Sequence, residues 1–98
     1  MFGWFKSAEA VALGVKLGDA IAARIGKDLQ KDSKKLDAKT RDALGAFTLE
    51  IDRFKREHKP GLYQKAKMAN ALRWKLSDAG FDKDYVEDVV RWLILRLN

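Results

Sequence analysis

The chain has no cysteine, one proline and one histidine among its 98 residues. Lack of cysteine excludes disulfides, thiolate metal sites and thiol nucleophiles together, and leaves a reducing cytoplasm as the default setting. His58 alone, with no cysteine, does not supply the ligand set of a structural zinc site. The serines Ser7, Ser33 and Ser77 have no G-x-S-x-G context, so a nucleophile elbow is not readable. Gly14 and Gly18 stand within a helical pattern rather than after a strand, so they are not a phosphate loop.

Long apolar runs are also missing. No stretch approaches the roughly twenty residues that a membrane span requires. The opening Met1-Phe2-Gly3-Trp4-Phe5-Lys6 lacks a basic lead, and Lys6, Glu9, Lys16 and Asp19 interrupt any signal-like core. Asp82-Lys83-Asp84 with Glu87-Asp88 is acidic enough for a calcium loop, but lacks the required glycine and the twelfth-position glutamate. Acids clustered there serve a helix N-terminus equally well. These absences lead to an expectation of no enzyme, no cofactor and no metal site.

What is present suits one folded domain: 47% hydrophobic and 35% charged residues, with a formal charge of +6. Residues 53–75 carry eight cations against Glu57, a local +7, whereas residues 77–88 carry five acids against Lys83, a local −4. Such a polarity steers an anionic partner or complements helix ends, and the helix-end reading is the simpler.

Apolar residues recur with helical periodicity throughout, and no alternating pattern long enough for a strand interrupts them. The spacing predicts an all-α fold, a four-helix bundle-like single domain with helices near 7–30, 36–58, 62–79 and 83–97. The expected organisation is an aromatic segment, 1–6, ahead of a helical domain, 7–98.

Ser7 is the expected cap of the first helix, whose face includes Val11, Val15, Leu17, Ile21, Ile25 and Leu29. Ala10, Gly14, Gly18, Ala22 and Gly26 form a small-residue ridge along it. In a helix with charges on its other face, such a ridge seats a neighbouring helix. Leu36, Thr40, Ala43, Leu44, Phe47, Ile51, Phe54 and His58 make the cleanest stripe, leaving Leu49 alone among charges. Pro60-Gly61 ends that helix.

Helix three is expected to bury Leu62, Ala66, Ala69, Leu72 and Leu76, then stop at Gly80 with Phe81 packing back. Asp82 is the expected cap of helix four. That helix is apolar nearly all round, through Tyr85, Val86, Val89, Val90, Trp92, Leu93, Ile94 and Leu97, and should lie at the bundle centre or an oligomer interface.

Two surfaces stand above this background. Tyr63, Lys67, Asn70 and Trp74 fall on one side of helix three, flanked by Lys65, Arg73 and Lys75. Rings that stack bases beside cations that meet phosphates suit single-stranded nucleic acid. Packing of Tyr63 and Trp74 on a second protein neighbour is the competing and preferred explanation. The other surface is the amino terminus, where Phe2, Trp4 and Phe5 precede the ridge of Gly14 and Gly18. With Trp92 these residues are the candidate surface for a protein partner or a second copy, ahead of peripheral membrane contact.

The run Ala71-Leu72-Arg73-Trp74-Lys75-Leu76-Ser77-Asp78-Ala79-Gly80-Phe81, followed by Val86, Val89, Val90 and Leu93, resembles one helical repeat of the RecX regulators of recombinase filaments. The repetition that defines that family is absent, so no function is carried over. The expected function is a non-enzymatic helical interaction protein, with nucleic-acid association through residues 53–75 as the alternative.

Overall fold

The computed structural model describes the backbone of residues 2–26 and 29–98, and the side chains of 8–26 and 30–98. Four helices are present: α1 (Phe2–Arg24), α2 (Ser33–His58), α3 (Leu62–Asp78) and α4 (Lys83–Leu97), with a short 3-10 turn at Leu29–Lys31. No strand occurs among the described residues.

The first helix is displaced from its expected span. It starts at Phe2, so Ser7 is inside the helix rather than capping it, and the backbone of the aromatic segment is continuous with α1. Nothing in Phe2–Lys6 breaks a helix apart from the tolerated Gly3. It also stops at Arg24, short of residue 30. A side chain at Gly26 would meet nothing within 4 Å, so no close packing offsets the helical cost of that glycine.

α2 begins at Ser33 because Asp32 caps it, its carboxylate accepting from the Lys35 N–H at 3.2 Å. The helix ends where Lys59 adopts a left-handed conformation (φ 45°) and donates its N–H to the Lys55 carbonyl. Pro60 follows and prevents continuation.

The α3–α4 turn matches the expectation from Gly80. Gly80 has φ 89°, its N–H reaches the Ser77 carbonyl, and the Phe81 N–H reaches the Leu76 carbonyl, which is a Schellman stop. Phe81 is buried and stacks on Tyr85 with centroids 4.9 Å apart. Asp82 occupies the cap position of α4, though its side chain makes no capping hydrogen bond.

Pairing between helices sets the topology. Gly14 lies over Met68 and Ala71, and Gly18 over Leu72 and Lys75, so α1 and α3 run parallel. Glu9–His58 and Lys16–Glu50 contacts make α1 and α2 antiparallel. Arg73–Glu87 and Lys65–Asn98 make α3 and α4 antiparallel, while Thr40–Tyr85 and Asp52–Arg96 set α2 parallel to α4.

The core is continuous. It draws Ala10, Leu13, Leu17 and Ile21 from α1, then Ala43, Leu44, Phe47, Ile51 and Phe54 from α2. Met68, Ala69, Leu72 and Leu76 come from α3, and Val86, Val89, Val90, Leu93 and Leu97 from α4. The α2 stripe is therefore as expected, with Leu36 partly buried and Leu49 exposed.

Two faces are rotated from expectation. Val11 is exposed and Val15 only half-buried on α1, because the glycine ridge, not the valines, meets α3. On α3, Leu62 is 86% exposed and Ala66 exposed, and Met68 fills the core instead. Leu62 is the first residue of its helix, at the end of the bundle, where it has no neighbour to pack on.

α4 is not the central helix. α1 and α3 pack most closely, and α4 sits beside α3 and α2. Trp92 is half-buried and packs against the core.

Candidate interaction surface

The small-residue ridge is covered by the chain itself. A Cβ on Gly14 would stand 2.5 Å from the Met68 carbonyl oxygen, and one on Gly18 would stand 2.6 Å from Lys75 Cβ. Both glycines are buried under α3 and are unavailable to any partner. The side chains of Phe2, Trp4 and Phe5 lie outside the described residues.

The α3 stripe, by contrast, faces outward. Tyr63 is 63% and Trp74 62% exposed, Asn70 is exposed and Lys67 half-buried. At 100° per residue the four lie within about 60° of arc, and the two rings stand roughly 16 Å apart along the axis. Among the described residues, no second neighbour covers these rings. The face of α3 that meets α1 carries Met68, Ala71 and Lys75, and the face towards α4 carries Arg73. Both adjoin the stripe without covering it, Arg73 through Asn70 and Lys75 over the edge of the face at Trp74.

Cations accompany both rings. Lys67 Nζ lies 5.4 Å from the Tyr63 centroid and Lys75 Nζ 5.5 Å from that of Trp74. Most of the flanking charge is already engaged. Arg73 donates to Glu87 through Nε at 3.0 Å and to Asn70 Oδ1 at 2.6 Å. Lys75 pairs with Asp19 at 2.8 Å, and Lys65 donates to Asn98 at 2.8 Å. Of the four cations in residues 65–75, Arg73 and Lys75 are paired with acids, Lys65 donates to a neutral amide and Lys67 lies over Tyr63.

Elsewhere the ionisable groups act as struts between helices. His58 Nε2 lies 2.8 Å from Glu9, with its ring 4.6 Å from Phe54, as a packed histidine closing the α2 stripe. These residues border a shallow groove of about 290 Å³ between α1 and α2, floored by Ala12, Leu13 and Phe54. Asp52 receives a two-pronged contact from Arg96 at 2.7 and 3.0 Å. That hydrogen bond holds the Asp52 carboxyl below its ordinary value. Burial raises the Tyr85 phenol, against the opposing effect of its 2.6 Å hydrogen bond to Thr40. No cluster of three or more metal-binding side chains exists among the described residues.

Leu62 and Leu95, the latter 67% exposed, were not anticipated as surface residues. Helical periodicity placed Leu62 in the core because it cannot register that a helix has reached the bundle's end. Thr40–Tyr85 and Asp52–Arg96 had no sequence signal, being 45 and 44 residues apart.

No family model, no curated protein and no solved structure matches the chain. The surface chemistry therefore carries the functional reading.

Proposed function

We propose that this chain is a non-enzymatic interaction module that docks a protein through the outer face of α3. The observation that carries this reading is the exposure of Tyr63 and Trp74 on one helical stripe, above a core that is complete without them. Two solvent-exposed rings on a rigid helix are typical anchors of protein interfaces, since they bring much contact area at little entropic cost. A cytoplasmic setting, the default expectation, belongs to the same reading.

The alternative is single-stranded nucleic acid, favoured by the two cation–ring pairs on the stripe. Against it stands the pairing of Arg73 and Lys75, the cations beside Trp74, with Glu87 and Asp19.

A photo-crosslinking amino acid at position 70 separates the two in living cells. Protein adducts that disappear in Tyr63→Ser/Trp74→Ser are the expected result. Adducts only to nucleic acid, or none, would overturn the reading. In a parallel titration, single-stranded oligonucleotide binding that falls steeply with salt and is lost in Lys67→Glu would establish the alternative.

A further inference from the structure

We infer that the occupant of the α3 face is a second copy of this chain, packed antiparallel about a two-fold axis through the middle of α3. This deepens the interaction reading above and rests on it. The stripe is palindromic in spacing. The midpoint between Tyr63 and Trp74 falls between Met68 and Ala69, and so does the midpoint between Lys67 and Asn70. A two-fold axis there sets Tyr63 against Trp74 of the second copy, and Lys67 against its Asn70, twice over. Such self-complementarity is what an isologous interface requires. Each ring then gains an aromatic neighbour that the described residues of its own chain do not supply.

Charge selects the same orientation. Lys59 immediately precedes the face and Lys67 lies in its first half, whereas Asp78 ends α3 and Asp82 follows. An antiparallel pair brings the basic end of one copy to the acidic end of the other, and a parallel pair would set like charges together. Arg73 and Lys75, which flank the face, are paired with Glu87 and Asp19, and Lys67, next to the axis, is set against Asn70 of the second copy rather than against another cation. A uniform polyanion suits this face less well, because the acidic end repels it.

Sedimentation velocity of the purified chain from roughly 5 µM to 1 mM tests the pairing. The expected result is a monomer–dimer equilibrium weakened roughly 30-fold or more by Tyr63→Ser/Trp74→Ser, with the helical circular dichroism retained. Lys59→Asp and Asp78→Lys should each weaken the dimer, and the two together should restore it. Because the chain has no cysteine, Asn70→Cys should give a covalent dimer with a short bismaleimide, whereas Leu49→Cys on the exposed side of α2 should not.

A concentration-independent monomer, or a dimer indifferent to these substitutions, overturns the proposal. If the purified chain is monomeric while the crosslinker at position 70 still captures another protein, self-pairing fails and the interaction reading stands. If neither partner nor copy is captured, both fail.

Discussion

The two sides of α3 use their residues in opposite ways. On the side facing α1, Met68, Ala71, Leu72 and Lys75 meet Gly14 and Gly18 so closely that no added carbon fits. On the outer side, Tyr63 and Trp74 project two large rings into solvent. The small-residue ridge seats a neighbouring helix, as its spacing predicts, and so is closed to the partner that was the other expectation for Gly14 and Gly18. The aromatic stripe looked like a packing face and proves to be open. Small residues allow backbones to approach because dispersion contacts need close distances. Exposed rings cost the monomer little and leave contact area for association.

The sharpest way to break this contrast is at Gly14. Alanine for glycine inside a helix ordinarily stabilises by about 0.5–1 kcal/mol. At Gly14 the new carbon would meet a backbone carbonyl that cannot rotate away, so Gly14→Ala should instead destabilise by about 1–3 kcal/mol. Gly45, within α2, has nothing within 4 Å of that position, and Gly45→Ala should show the ordinary gain. Chemical denaturation of both variants gives the sign directly. Equal stabilisation in the two would mean that the α1–α3 seam is looser than described.

A smaller effect is expected at Thr40, which ties α2 to α4 through the Tyr85 hydroxyl at 2.6 Å. Thr40→Val should cost about 1 kcal/mol by leaving a half-buried phenol with one partner fewer. Burial raises the Tyr85 pKa above its ordinary value of 10.0, so the folded state favours the neutral phenol. That contribution is fully present below pH 10.0 and is lost as the pH rises through the higher folded value. Since the Thr40 bond opposes the shift, Thr40→Val should move the tyrosine absorbance transition to still higher pH.

The smallest change belongs to the outer stripe. Trp74→Ser should alter monomer stability by no more than about 0.5 kcal/mol, measured by thermal melting at low concentration. A loss of several kcal/mol would show that the ring supports the fold and would remove the main support for an interface.

The strongest periodic signals were legible. The α2 stripe from Ala43 to Phe54 is buried as its spacing demanded, and Gly80-Phe81 stops α3 with the anticipated geometry. These features depend on neighbours within one or two turns, which a sequence lists side by side. Asp32 caps α2, so the helix starts at Ser33 rather than near residue 36. Ser7 was misjudged because a good capping residue does not stop a helix that has nothing to break it upstream.

Less was legible in the choice between faces. α1 carries apolar residues on more than one side, and its valines and its glycines were equal candidates for the core. α3 likewise offered Leu62 and Ala66 against Met68, and only the approach of α1 decided for Met68. The centrality expected of α4 failed for a related reason. Its apolar breadth is divided among a core face, a half-buried Trp92 and an exposed Leu95 rather than surrounded on all sides.

Composition and local pattern were enough for the helical class, the number of helices and the turn at Gly80, because these follow from short-range propensities and spacing. Which helix lies against which emerged only on folding, since it depends on close approach between residues on different helices, as at Gly14 with Met68. That same approach turned Gly14 and Gly18 inward and left Tyr63 and Trp74 outside, which is where the functional reading now rests.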